Sequence, residues 1–136
     1  MNRVYETDRR RFQRLKVNLS VFYRLFEAPW DICQEVGTQE FEGSALDLSE
    51  LGMGIACQHS FPADVRLKIS FILSRCDDEG IISFKDPVEV KARVCYCLPN
   101  DNGQFRLGVS FLEITTKERY SLASFIYSTR SPKTFI

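Results

Sequence analysis

Four arginines stand close together near the start of the chain, at positions Arg9, Arg10, Arg11 and Arg14. An arginine side chain presents a planar, permanently charged fork of donors that matches the oxygens of a phosphate group. The whole chain balances at 18 basic and 18 acidic side chains, so this cluster concentrates positive charge near the start and leaves the rest of the chain net negative. Their spacing predicts a segment that grips a compact, phosphate-bearing ligand.

A second group of polar residues occupies the run from Asp47 to Gly52 and contains Asp47, Ser49 and Gly52. A carboxylate can accept two hydrogen bonds from the N1 and N2 edge of guanine, and a hydroxyl can bond a phosphate or a base. Glycine permits a close approach of the backbone. Taken alone, either group is typical of a solvated basic terminus or an ordinary turn. Taken together, they predict a site for guanine and phosphate.

The elements that must position these residues are mainly strands, because apolar and polar side chains alternate with period two along most of the chain. Between the last two strands, the run from Pro99 to Gly103 predicts a short antiparallel connection. Six short antiparallel strands favour a β-barrel or a sandwich. The predicted strands cover residues 17–25, 40–48, 53–57, 65–73, 88–98 and 105–111.

In the strand over residues 88–98, the alternation predicts one buried and one solvent-exposed face. Val94, Tyr96 and Leu98 belong to the face predicted to be buried, and Cys95 and Cys97 belong to the other face. This strand therefore predicts a buried tyrosine near its end.

The period changes after Ile114, which predicts one C-terminal helix that caps the barrel. Thr115 and Glu118 have the spacing of a capping box. Leu122, Phe125 and Ile126 fall on one helical face, which is predicted to contact the core.

Two segments fit no strand and are predicted to be loops, namely Ala28–Gln39 with Trp30, and Cys76–Gly80. Each is interpreted as a solvated turn, with contact to a partner as the alternative, because binding residues often lie on loops of a rigid scaffold.

Composition restricts the class of protein. A chain of 136 residues with 44% hydrophobic residues suits a single domain over residues 1–136. No apolar run approaches the roughly 18 to 20 residues that span a bilayer, and no signal peptide is evident, so a cytoplasmic protein is expected. Five cysteines without a CxxC pair and one histidine, His59, supply neither a zinc site nor a catalytic triad. We therefore expect no metal, no cofactor and no enzyme, with His59 at the surface or a strand end.

The two polar groups, on this strand pattern, resemble the signatures of the PilZ domain, RxxxR followed some tens of residues later by (D/N)xSxxG. Arg10 to Arg14 matches the first signature and Asp47 to Gly52 matches the second. The run Leu107–Phe111 is similar to the late strand of that family. The resemblance covers residues 8–128, the expected core of the domain.

The resemblance implies a six-stranded antiparallel barrel with a C-terminal helix that binds cyclic di-GMP. It implies that Arg10 and Arg14 contact phosphates and guanine faces, that Asp47 and Ser49 bind the guanine edge and nearby polar atoms, and that Gly52 shapes the turn.

Two further arginines belong to the predicted ligand site. Arg9 precedes RxxxR, a position that in some family members accompanies binding of two stacked ligand molecules, so the resemblance implies two molecules per chain. Arg11 lies inside the signature and completes the predicted ligand-binding set.

The leading hypothesis is a receptor for cyclic di-GMP whose arginine segment orders on binding and signals to an unidentified downstream protein. One alternative is a small barrel that binds single-stranded nucleic acid, although the balanced charge argues against it. Another is a ligand-free structural adaptor in motility or pilus assembly.

Overall fold

The alternating segments form a single closed antiparallel sheet in the computed structural model, which describes residues 14–76 and 78–134. The strands follow one another around the barrel in the order β1-β2-β3-β6-β5-β4. This confirms the predicted all-β barrel of six strands with a C-terminal helix. The elements are β1 (Leu15–Glu27), α1 (Trp30–Val36), β2 (Phe41–Leu48), β3 (Gly52–Cys57), β4 (Arg66–Cys76), β5 (Ile82–Pro99), β6 (Phe105–Glu113) and α2 (Thr116–Thr134).

The barrel interior is filled by the apolar side chains that alternate along each strand, because successive residues of a strand point to opposite faces. In β1, Val21 and Tyr23 are buried while Phe22 between them is exposed. In β4, Leu67 and Ile69 are buried in the same way. The core therefore occupies the inside of the barrel, and the outer surface remains for recognition.

Helix α2 packs one face against the barrel. Leu122, Phe125 and Ile126 are all buried, as the sequence predicted. The capping box is formed, since the amide of Glu118 donates to Thr115 Oγ1 at 3.1 Å and the amide of Thr115 donates to Glu118 Oε1 at 3.2 Å. No helix within residues 14–76 and 78–134 is long and apolar enough to cross a membrane.

The prediction of a loop over Ala28–Gln39 is wrong in its centre, where the short helix α1 forms. Pro29 precedes the helix, and Gly37 with φ 83° ends it. Seven residues are too few to show a helical period in the sequence. Trp30, at the first position of α1, is 76% exposed.

The other predicted loop, Cys76–Gly80, is shorter than expected. Cys76 belongs to β4, and residues 78–80 form a turn, whereas Asp77 lies outside the described residues. Strand β5 begins at Ile82, well before the predicted start at residue 88.

The prediction that Tyr96 and Leu98 are buried is wrong. They are 38% and 54% exposed, respectively. The pairing of β5 with β6 shifts register between Val94 and Tyr96, which marks a β-bulge. A bulge adds one residue and reverses the faces beyond it, so Cys97 packs against the core instead.

His59 follows the end of β3, but its ring is half-buried among aromatic side chains rather than at the open surface. Its centroid lies 4.2 Å from that of Phe41 and 5.8 Å from that of Phe61. Burial lowers the pKa of His59 below its ordinary value of 6.5, which favours the neutral imidazole.

Candidate functional site

The candidate site lies on the barrel wall where four strands meet in register. In β2, Asp47 is opposite Lys16 of β1 on one side and Gly54 of β3 on the other. Gly54 is in turn opposite Gly108 of β6. The pairing is irregular on both sides of Asp47, with register shifts between Lys16 and Leu19 and between Ala45 and Asp47. These irregularities redirect side chains locally, so a carboxylate can be held within the wall.

The Asp47 carboxylate accepts hydrogen bonds from three parts of the chain. Oδ1 accepts from the Gly54 amide at 2.9 Å and from Arg14 Nη1 at 3.1 Å. Oδ2 accepts from Arg106 Nη2 at 2.7 Å. Asp47 is only 9% exposed, so these charged and backbone donors compensate the cost of burying its charge.

Arg14 is the one member of the predicted arginine cluster that lies within the described residues, and its Nη1 lies 3.1 Å from Asp47 Oδ1. Its side chain is 63% exposed. Arg9, Arg10 and Arg11 lie outside the described residues.

Ser49 supports the turn that leads from β2 into β3. Its Oγ accepts from the amides of Leu51 at 3.1 Å and Gly52 at 3.3 Å, and its own amide donates to the Gly52 carbonyl at 2.9 Å. Ser49 is 6% exposed. Its hydroxyl therefore holds the shape of the turn beside Asp47, and its contact with ligand stays a prediction.

Gly52 is required by close packing. A Cβ atom at this position would collide with the backbone carbonyl oxygen of Val109 on β6. The amide of Phe111 also donates to the carbonyl of Leu51 at 2.8 Å, which ties the same turn to β6. The glycine of the second signature thus lets β3 and the turn lie directly against β6.

The sequence reasoning missed three residues of this site, Gly54, Tyr96 and Arg106. Because Leu107 is buried and successive residues of a strand alternate, Arg106 lies on the outer face of the barrel. Its contact with Asp47, however, spans 59 residues of sequence, and no local pattern predicts it. Tyr96 was predicted to be buried, and only the bulge brings it outside. Gly54 keeps Arg106 and Asp47 close together, since a Cβ there would lie 2.9 Å from Arg106 Nη2.

The electrostatics of the site combine two cationic side chains with one largely buried carboxylate. A hydrogen bond with Tyr96 is the main cause that raises the pKa of Arg106, with Asp47 as a further cause. Arg14 and Arg106 therefore place two permanent positive charges around one carboxylate. Within the part of the chain that the structure describes, no group of His, Cys, Asp and Glu could hold a metal ion.

The sequence model of the PilZ domain family matches residues 8–128 of this chain. No curated protein matches the sequence.

Among solved structures, the Bacillus subtilis inhibitor of motility MotI/DgrA superposes with a TM-score of 0.69 at 16% identity, over 91% of this chain and 52% of that one. The PilZ domain of YcgR from Escherichia coli with c-di-GMP gives 0.57 at 17% identity, over 94% and 99%. The MrkH–c-di-GMP complex of K. pneumonia gives 0.61 at 7% identity, over 92% and 54%.

Because the sequence identities are all low, these similarities show a shared fold alone. The chain spans about half the length of the MotI/DgrA and MrkH chains and almost the whole of the YcgR domain.

Proposed function

This chain belongs to the PilZ family, and on that premise we propose that it is a receptor for cyclic di-GMP that acts by binding rather than by catalysis. The observation that carries the proposal is the contact between the two signatures, in which Arg14 of the first reaches Asp47 of the second at 3.1 Å. Ser49 and Gly52 fix the turn beside that contact. A guanine edge and a phosphate would meet complementary groups at one place.

The known proteins with this fold support the choice of ligand. The structure of the YcgR PilZ domain contains c-di-GMP, and that of MrkH is a complex with c-di-GMP. The chemistry of this chain agrees, because arginine forks match phosphate oxygens and a fixed carboxylate matches the N1 and N2 donors of guanine. Arg9, Arg10 and Arg11 would supply the further phosphate contacts, and Arg9 would allow a second, stacked ligand molecule.

The signal would arise from the arginine segment. Arg14 is bound to the carboxylate that guanine needs, and its side chain is 63% exposed. A ligand that takes the outer position on Asp47 releases Arg14 to the phosphates. The segment before β1 would then change conformation and present a new surface to a downstream protein.

Glu50 connects the signature turn to helix α2, which gives a second way for ligand binding to affect the surface. This residue lies inside the signature turn and accepts a hydrogen bond from the Tyr127 hydroxyl of α2 at 3.1 Å. Its carboxylate also lies 3.8 Å from Arg119 Nε of the same helix. A displacement of the turn on binding would therefore change how α2 is held, which supports α2 as part of the output surface.

Calorimetric titration of the full chain with cyclic di-GMP tests the proposal directly. We expect Arg10→Ala and Asp47→Ala to weaken binding by more than about a hundredfold, since each removes a charged contact. Arg24→Ala, on the exposed outer face of β1, is the matched control and should bind like the wild type.

Unchanged affinity in both site variants would refute the proposal. A clean stoichiometry of one for the wild type would refute the second ligand molecule. Titration with a single-stranded oligonucleotide at two salt concentrations separates the nucleic-acid alternative, which predicts tight, steeply salt-dependent binding and no response to cyclic di-GMP. A ligand-free adaptor would bind neither.

A further inference from the structure

The three donors on Asp47 differ in how firmly they are held. Arg106 makes the shortest contact, 2.7 Å, and its side chain is 32% exposed, whereas Arg14 lies at 3.1 Å and is 63% exposed. Arg14 directly precedes β1, while Arg106 lies within β6 and is paired on both sides, with Ala56 and with Leu98. Arg14 is thus the donor that a ligand can replace, and Arg106 is the donor that stays.

Arg106 is itself fixed by its neighbours. Tyr96 is its neighbour on β5, and a hydrogen bond with Tyr96 is the first cause that raises the pKa of the Arg106 guanidinium. The Tyr96 ring lies directly over Gly108, where any Cβ atom would collide with the ring. The space for this ring exists because Gly108 has no side chain, so a rigid series of contacts runs from β6 through Tyr96 to Arg106 and then to Asp47.

The orientation of Asp47 determines which of its lone pairs face the ligand. A carboxylate has about four acceptor positions, and the Gly54 amide and Arg106 each occupy one from opposite oxygens. If Arg14 leaves, each oxygen keeps one acceptor position that neither the Gly54 amide nor Arg106 occupies. Two adjacent acceptors are what the N1–H and N2–H donors of guanine require, whereas a base without the exocyclic amino group uses only one of them.

We propose that Arg106 is a positioning residue that sets the specificity of the site by aiming both oxygens of Asp47 at the guanine edge, with Tyr96 holding Arg106 in place. This inference rests on the proposed function. Arg106 acts through Asp47, so its loss weakens recognition of the base more than the grip on the phosphates.

The test compares cyclic di-GMP with cyclic di-IMP, whose base lacks only the exocyclic amino group. The wild type should prefer cyclic di-GMP by roughly tenfold to a hundredfold, because the amino group bonds a charged acceptor. Arg106→Gln should bring the ratio of the two dissociation constants down to within about threefold of one, while affinity for cyclic di-IMP changes little. Arg106→Lys should restore part of the preference, since the cation remains.

Tyr96→Phe keeps the ring over Gly108 and removes the hydroxyl, so a smaller loss of preference is expected without a change in folding. Arg93→Gln is the matched control, because Arg93 pairs with Asp64 at 3.0 Å, away from Asp47. Thermal unfolding of each variant verifies that it is folded.

The outcomes distinguish a failure of the proposed function from a failure of the role of Arg106. A wild type that binds no cyclic di-GMP overturns the proposed function and this inference with it. A wild type that binds both ligands equally, or an Arg106→Gln variant that keeps the preference or loses both affinities in equal proportion, overturns only the role of Arg106.

Discussion

The two ends of strand β1 lead to clusters of opposite character. At its start lies the charged cluster, Arg14, Asp47 and Arg106, joined by ion pairs of 3.1 and 2.7 Å. At its far end lies the aromatic cluster, Tyr23, Phe41, His59 and Phe61, joined by ring contacts with centroids 4.2 to 6.2 Å apart.

The two clusters differ in their exposure to solvent. Tyr23 and Phe61 are almost completely buried, at 1% and 2% exposure. In the charged cluster, the Arg14 and Arg106 side chains keep 63% and 32% of their surface exposed. Burial of apolar rings stabilises the fold, whereas exposed guanidinium groups contribute little to stability and remain available to a ligand. We therefore expect stability and binding to be separable between the two ends.

The strongest test of that separation is Phe61→Ala. Phe61 packs edge-to-face on Tyr23 and is almost fully buried, so its loss leaves a cavity in the core. We expect the free energy of unfolding to fall by about 3 to 5 kcal/mol. Denaturant titration measures this loss, and calorimetry on the protein that remains folded should give an unchanged affinity for cyclic di-GMP. A parallel loss of affinity would show that the two ends are coupled.

A matched pair of glycine substitutions sharpens the comparison. At Gly43, beside the aromatic cluster, a Cβ would lie 2.9 Å from the backbone oxygen of Ala56 and 3.3 Å from the Tyr23 ring, so Gly43→Ala should cost about 1 to 3 kcal/mol of stability. At Gly54, the atoms nearest to the Cβ would be the ends of the Arg106 and Asp47 side chains, at 2.9 and 3.0 Å, rather than backbone atoms.

Gly54→Ala should therefore change stability by less than about 1 kcal/mol and yet weaken cyclic di-GMP binding about tenfold, because Asp47 is displaced. Chemical denaturation and calorimetry on both variants provide the measurement. The separation of stability from binding is contradicted if Gly43→Ala weakens binding or if Gly54→Ala leaves binding unchanged.

The two clusters also differ in how far the sequence predicted them. Asp47 and Arg14 were predicted as site residues from the spacing of two signatures, and the barrel from alternation along the strands. Arg106 and Tyr96 were missed, because the bulge after Val94 adds a residue that no periodic pattern reveals. The burial of the His59 ring was missed for a related reason. Two of its aromatic neighbours, Tyr23 and Phe41, come from β1 and β2, and only the pairing of β1, β2 and β3 brings them to His59.

A milder test at the aromatic end is Tyr23→Phe. The Tyr23 hydroxyl lies 2.7 Å from His59 Nδ1, and the substitution removes this hydrogen bond while keeping the ring. We expect a loss of about 1 kcal/mol in the free energy of unfolding, the usual net contribution of one such bond. Tyr127→Phe, which also removes one tyrosine hydroxyl but lies on the exposed side of α2, is the control. Equal losses in the two variants would contradict a special role for the buried bond.

The smallest effect expected is a dependence of stability on pH through His59. Burial lowers the pKa of this histidine in the folded protein, partly opposed by the charge of Glu35, while in the unfolded chain it titrates near 6.5. Below that pH the unfolded chain binds more protons than the folded one, so the contribution of His59 is fully present above pH 6.5 and is lost as the pH falls through the lower folded value. Between pH 7.5 and 5.5, the wild type should therefore lose more stability than His59→Gln, which has no group at position 59 that titrates there.

If the free energy of unfolding changes with pH in parallel for the two proteins, the ring is as well solvated in the folded barrel as in the unfolded chain. A convergence of the two curves towards low pH, with cyclic di-GMP affinity equal in both proteins at pH 7.5, would place the pH sensitivity at the aromatic end and leave the charged end to binding.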